Sequence, residues 1–138
     1  MKHEAMFLSA VLSLIGCAAS GPTSSTEQRL KLYETHSTPV EYFRITKLQG
    51  RQTRWTPLGD QALMVWDESN QPHLLQLPQK CSGLATTRSI SITNVSGTVT
   101  PGSDSVQLLG PSKAGSAYFC RIASARRIDM DAVKKARE

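Results

Sequence analysis

The chain is poor in the residues that catalysis and cofactor binding usually require. Its 138 residues include three cysteines, three histidines and only 6% aromatic residues. No Cys-x-x-Cys pair is present, so redox catalysis has no support, and the histidines and carboxylates match no familiar zinc-site spacing. The slightly negative mean hydropathy excludes a multi-span membrane protein. We therefore expect one small domain with no cofactor and no metal ion.

A nucleophile with a neighbouring general base is missing as well. Beyond residue 16 the histidines are His36 and His73, and neither has a partner at the spacing of a known catalytic motif. Asp60, Asp67 and Asp104 fall in turn-like segments, where an aspartate usually accepts hydrogen bonds from nearby backbone. The sequence therefore predicts no catalytic residues and no enzyme. An envelope hydrolase whose residues meet only in space is the least favoured alternative.

The N-terminus carries a short apolar run. Residues 5–15 (AMFLSAVLSLI) follow Lys2 and precede a stretch rich in Ala, Ser, Gly, Pro and Thr. A helix of this length rises about 16 Å, half of the ~30 Å hydrocarbon core of a bilayer, so it cannot span one. The length fits the apolar region of a secretory signal, and we predict a signal peptide at residues 1–16. The alternative is a buried N-terminal helix.

Residues 14–17 (LIGC) resemble the lipobox of bacterial lipoproteins, in which the signal is cut before an acylated cysteine. The resemblance implies that Cys17 carries acyl chains such as palmitate and that the membrane is a partner through this anchor. Ala18 stands where bacterial sorting rules need an aspartate for inner-membrane retention. We therefore expect anchoring in the outer membrane, with the protein facing the periplasm. Residues 17–26 are expected to form a flexible tether.

The two remaining cysteines are Cys81 and Cys120. In an oxidising periplasm, two lone cysteines of a small domain most often pair, and we predict a structural disulfide between them. The alternative is two free thiols in the core.

Short β-type runs separated by turn residues dominate the middle of the chain. They lie at residues 40–45, 52–56, 62–67, 73–77, 89–93, 105–109 and 117–122. Near the C-terminus, Asp129 can cap a helix whose last turn carries lysines and an arginine. Residues 27–138 are therefore predicted to form one mainly β domain: a small antiparallel sheet curled into a barrel or sandwich, with a short C-terminal helix.

A basic stretch is the main candidate for binding. Residues 42–59 contain Arg44, Arg51 and Arg54, with Trp55 beside the last, and no acidic residue. These four residues are expected to contact an anionic group, such as a lipopolysaccharide phosphate, a peptidoglycan carboxylate or an acidic protein partner. A solvated strand is the favoured alternative, because Arg51 and Arg54 fall on opposite faces of a strand. Trp66 is predicted to lie in the core.

The runs at residues 63–66 (LMVW), 73–77 (HLLQL), 81–84 (CSGL) and 120–122 (CRI) resemble a family of small proteobacterial lipoproteins known only as a domain of unknown function. The resemblance covers roughly residues 40–133. It implies export, a disulfide and a sheet, but it supplies no activity and no binding residues.

These features together favour a non-enzymatic binding or structural module that is lipid-anchored in the envelope. A partner is expected to be an anionic envelope component or an envelope protein. The net charge of +5 does not point to nucleic acid, since no nucleic-acid-binding motif is present. The alternative is an inhibitor or immunity lipoprotein: Gly115 and Tyr118 partly resemble the Ser-Gly-x-x-Tyr loop of periplasmic lysozyme inhibitors, although Ala114 replaces the serine.

Lipidation predicts a defined mature N-terminus. Protein purified from bacterial membranes should begin at Cys17 and carry the additional mass of its acyl chains, whereas the variant Cys17→Ser should lack them and leave the membrane fraction. Intact-protein mass spectrometry measures both. A mature chain that begins with an unmodified Met1 would contradict the prediction.

Overall fold

The computed structural model describes residues 22–45, 51–52, 54–109 and 118–138. The elements in chain order are α1 (Pro22–Thr35), β1 (Ser37–Val40), β2 (Phe43–Arg44), β3 (Arg51–Gln52), β4 (Trp55–Pro57), β5 (Ala62–Trp66), β6 (Pro72–Gln76), β7 (Ser89–Ile92), β8 (Thr98–Val99), β9 (Ser105–Leu109), β10 (Tyr118–Arg121), β11 (Ser124–Ile128) and α2 (Met130–Ala136). The predicted signal peptide and Cys17 lie outside the described residues. The fold is mainly β with a short C-terminal helix, as predicted from the sequence.

The strands form three antiparallel sheets. The main sheet has the strand order β1-β11-β6-β5-β4, the second sheet has the order β10-β9-β7-β3, and β2 pairs with β8. Within the described ranges these sheets do not close into a barrel, so the sandwich alternative is the compatible one.

The central strands of the main sheet are buried on both faces. Successive side chains of a strand point to opposite faces, and Leu63 and Met64 accordingly belong to two different buried clusters. The first cluster, called the inner core here, fills the space between the main sheet and the other two sheets. Its members from those other sheets include Phe43, Ile90, Ile92, Val99 and Val106.

The second cluster, the helix-side core, covers the opposite face of the main sheet. It joins Tyr33 of α1 and Val133 of α2 to Leu74 and Ile128 of the sheet. The main sheet is therefore the middle layer, with helices on one side and the smaller sheets on the other.

Helix α1 begins at Pro22, within the segment predicted to be a tether. Proline suits the first position of a helix because its fixed φ is helical and its missing N–H would have no helical partner there. Leu30 and Tyr33, which share a helix face at this spacing, pack into the helix-side core. Residues 17–21 of the predicted tether lie outside the described ranges.

Helix α2 begins as predicted, with Asp129 as its N-cap. The Asp129 carboxylate accepts a hydrogen bond from the backbone N–H of Ala132 at 3.1 Å. At the other end, Arg137 donates to the Tyr33 hydroxyl at 3.2 Å, which ties α2 to α1.

Strand β11 is absent from the predicted set, because its sequence SARRI lacks an apolar alternation. It nevertheless lies between β1 and β6. Arg126 is accommodated there because its Nε donates to the Ser37 hydroxyl at 2.8 Å and its Nη2 to the Ser37 carbonyl at 3.0 Å. The predicted run at residues 40–45 also differs, since it divides between β1 and β2, which join different sheets.

A disulfide joins Cys81 to Cys120, with an Sγ–Sγ distance of 2.06 Å. It connects the segment after β6 to β10 and closes a loop with a sequence separation of 39. Cys81 is fully buried in the inner core. In the described parts of the chain, no helix has the length and apolar character needed to cross a membrane.

Removing the disulfide is expected to destabilise the domain strongly. The double variant Cys81→Ala/Cys120→Ala should lose about 4 kcal/mol of unfolding free energy, because the bridge restricts the unfolded chain. Urea denaturation monitored by circular dichroism measures the loss. A difference below about 1 kcal/mol would mean that the bridge adds little to stability.

Candidate functional site

An open cleft of about 750 Å³ lies where the β5–β6 hairpin, the end of β11 and the start of α2 meet. It is called the α2 cleft here. Its walls include the charged and polar side chains of Arg54, Asn70, Arg127, Asp129, Asp131 and Lys134, together with Trp66.

The guanidinium of Arg54 is held over an aromatic ring. Its Cζ lies 4.5 Å from the centroid of the Trp66 ring, which is a cation–π contact. Its Nη1 also donates a hydrogen bond to the side-chain carbonyl of Asn70. Trp66 is partly buried and packs against the helix-side core. The cation is therefore fixed in orientation by two partners that leave its charge unneutralised.

The hairpin turn that carries Asn70 is itself fixed by Asp67. One carboxylate oxygen of Asp67 accepts hydrogen bonds from the backbone N–H groups of Ser69 at 2.8 Å and Gln71 at 2.9 Å. Asn70 has a φ of 65°, a left-handed conformation that asparagine tolerates better than most residues. The predicted Asx chemistry of Asp67 is thus present, and it positions the amide that holds Arg54.

Counted over the residues that the structure describes, the cleft brings together three cations and two carboxylates. The ion pairs among the described residues are Arg44–Glu68 and His73–Asp67. None of Arg54, Arg127 and Lys134 therefore has a carboxylate oxygen within 4.0 Å in the described part of the chain. Asp129 already accepts the capping hydrogen bond of α2. An anionic group that entered the cleft would meet cations without ion-pair partners.

The four residues predicted to bind an anionic group lie in different parts of the fold. Arg44 on β2 is paired with Glu68, its Nε lying 3.3 Å from a carboxylate oxygen, and it does not line the α2 cleft. Arg51 pairs with Ser91 in the second sheet. Trp55 is partly buried and packs against the inner core. Of Arg44, Arg54 and Trp55, the three whose side chains the structure describes, only Arg54 lies at the cleft.

Trp66, predicted to be core, is the tryptophan that contacts Arg54. The Trp66 ring packs against the helix-side core, as predicted from the sequence, but that prediction does not include its contact with Arg54. The contact follows from strand register: Trp55 lies opposite Val65, and the backbone N–H of Trp66 donates to the Arg54 carbonyl at 3.3 Å. From the sequence, this contact could have been identified by aligning β4 correctly with β5.

His73 is buried and surrounded by structural contacts. Its ring stacks on Phe43 with centroids 4.7 Å apart, and its Nδ1 lies 3.2 Å from the Gln71 carbonyl and 3.7 Å from an Asp67 carboxylate oxygen. Burial lowers the pKa of His73; the Asp67 charge and the Gln71 carbonyl oppose this, while Arg127 adds to it. In the part of the chain that the structure describes, no hydroxyl or thiol is hydrogen-bonded to this ring.

A second buried titratable residue in the described ranges, Asp104, also has its hydrogen-bond partners nearby. Its carboxylate accepts hydrogen bonds from the Thr93 hydroxyl at 2.8 Å and the Thr100 N–H at 2.7 Å, which links two turns. Across the described ranges, no group of three or more His, Cys, Asp or Glu side chains is arranged to hold a metal ion. Gly115 of the inhibitor-like motif lies outside those ranges, whereas Tyr118 opens β10.

A family model described as a family of unknown function, DUF6491, matches residues 1–138. No curated protein and no solved structure matches the chain.

Acidification is expected to destabilise the fold through His73. Because its folded-state pKa is lowered, the unfolded chain binds the proton first, and the free energy of unfolding should fall as the pH drops below about 6.5. Above that pH the imidazole is neutral in both states and adds no slope. Urea denaturation between about pH 5 and 7.5 should show a shallower dependence for His73→Gln, which cannot titrate. Parallel curves for the two proteins would refute this assignment.

Proposed function

The chain belongs to DUF6491, a family of unknown function, and on that premise we propose that it is a non-enzymatic lipoprotein of the bacterial envelope that binds an anionic envelope component in the α2 cleft. The observation that carries the proposal is Arg54, an exposed cation held between Trp66 and Asn70 with no carboxylate partner among the described residues.

A preorganised guanidinium favours anion recognition for a simple reason. A free arginine side chain loses rotamer freedom when it binds, and this loss offsets part of the interaction energy. Arg54 is already ordered by the aromatic ring and the amide, so less freedom remains to be lost. Its planar donors can form paired hydrogen bonds with a carboxylate or a phosphate.

The other two cations of the cleft, Arg127 and Lys134, also favour an anionic ligand. Arg127 lies in β11, one residue before its end, and Lys134 lies in α2, so the two approach the cleft from different elements. Asp129 and Asp131 add negative charge at the α2 end. A ligand that carries one or two anionic groups among polar groups fits this mixture better than a uniformly charged polymer.

The compartment is proposed from the sequence. The apolar run at residues 5–15 and the lipobox-like LIGC support export and acylation at Cys17. The disulfide between Cys81 and Cys120 agrees with an oxidising compartment. The outer membrane, facing the periplasm, follows from Ala18 by the sorting rules, and carboxylates of peptidoglycan and phosphates of lipopolysaccharide are two kinds of anionic group in that envelope.

Co-sedimentation of the full chain with purified peptidoglycan sacculi, and separately with lipopolysaccharide, tests the cleft. Binding to at least one is expected, and the two arms distinguish carboxylate from phosphate recognition. Arg54→Ala should weaken binding roughly tenfold or more, because a charge-assisted hydrogen bond is lost. Asn70→Gly keeps the left-handed turn but removes the amide, so it should give a smaller loss.

Arg88→Ala is the matched control, because Arg88 is an exposed arginine outside the cleft. It should bind like the unaltered chain. Equal losses for Arg54→Ala and Arg88→Ala would indicate a nonspecific charge effect, and an absence of binding to both materials would reject the proposal.

A further inference from the structure

A second surface exposes two neighbouring aromatic side chains. Tyr118 and Phe119, at the start of β10, are 49% and 54% exposed. A hollow of about 400 Å³ lies beside them, with Lys80 and Arg121 also in its wall. These four residues are called the β10 surface here. None of the described residues lines both this surface and the α2 cleft.

The β10 surface is rigid. Strand β10 pairs with β9 along its whole described length, from Tyr118 opposite Leu108 to Arg121 opposite Ser105. The disulfide then fixes the backbone positions of Lys80 and Arg121 relative to each other, because Lys80 precedes Cys81 and Arg121 follows Cys120 in sequence. Aromatic rings and positive charges are therefore held together on one piece of the fold.

The charged side chains of the β10 surface, Lys80 and Arg121, are both positive. The other described residues that line the hollow are Pro78, Gln79 and Cys120, and none of these is acidic. Among the described residues, neither Lys80 nor Arg121 has a carboxylate within 4.0 Å. The α2 cleft differs, since two carboxylates accompany its cations.

We propose that the β10 surface rests on an anionic phospholipid membrane. Tyrosine and phenylalanine are stable at the level of lipid headgroups, and lysine and arginine are attracted to anionic lipids. Tyr118 and Phe119 point to opposite faces of β10, so the outer edge of this strand, the last of its sheet in the described ranges, is what brings both half-exposed rings to the level of the lipid headgroups. The inference rests on the proposed function only in that a lipid anchor already brings the chain to a membrane; the β10 surface then sets the orientation of the domain.

Amide hydrogen exchange of the full chain carrying Cys17→Ser tests the contact. Vesicles of phosphatidylcholine with and without phosphatidylglycerol are compared. Because the apolar run at residues 5–15 can enter either bilayer, the readout is local to residues 118–121. Exchange there is expected to slow with phosphatidylglycerol vesicles and to change little with phosphatidylcholine alone.

Charge reversal provides the matched comparison. Lys80→Glu/Arg121→Glu should require roughly tenfold more phosphatidylglycerol vesicles for equal protection of residues 118–121. The control Lys31→Glu/Arg88→Glu has the same net charge, and both of its positions are exposed elsewhere. Phe119→Ser should also lose protection. The control should retain it.

Three outcomes would overturn the proposal. One is equal protection by both kinds of vesicle, another is equal loss in the control, and the third is protection without vesicles that rises with protein concentration, which would show pairing of β10 between two copies.

The variant Arg54→Ala distinguishes this proposal from the proposed binding in the α2 cleft. If it weakens binding to sacculi or lipopolysaccharide and leaves vesicle protection intact, the two sites are independent. Vesicle protection without binding of either material by any variant rejects the cleft alone.

Discussion

The burial of the main sheet on both faces is the constraint on which the other layers depend. A strand buried on both sides must be apolar at successive positions, and Leu63 and Met64 show this by joining two different cores. Each face then requires its own cover. The helices cover one, and the smaller sheets cover the other, with the disulfide at the edge of that second contact. The α2 cleft forms where the helix cover ends, beside Trp66.

The sequence predicts the elements whose own residues determine their structure. β5 and β6 lie within one residue of their predicted bounds because each is an apolar run limited by turn residues. The capped helix α2 could be predicted for the same local reason. β11 could not, because a strand that contains Arg126 and Arg127 is stabilised by the two strands beside it. Its position depends on tertiary structure alone.

The candidate site was predictable to the same limited extent. Arg54 is identifiable from its basic surroundings, but its partners are not. Its contact with Trp66 depends on the register of β4 against β5, and its hydrogen bond to Asn70 depends on the conformation of a hairpin turn. Neighbouring position in sequence favours Trp55, whose side chain packs toward the inner core. The chemistry of one residue could thus be predicted, whereas the geometry that makes it distinctive required the fold.

The position of β11 has a consequence for how the chain folds. This strand comes from residues 124–128, yet it separates β1, at residues 37–40, from the rest of the main sheet. Strand β1 therefore cannot pair within the main sheet until almost the whole chain has been synthesised. Such long-range pairing slows folding and keeps a nascent chain open. For the export that we propose, this delay would be an advantage, because a chain that has not yet folded stays competent for translocation.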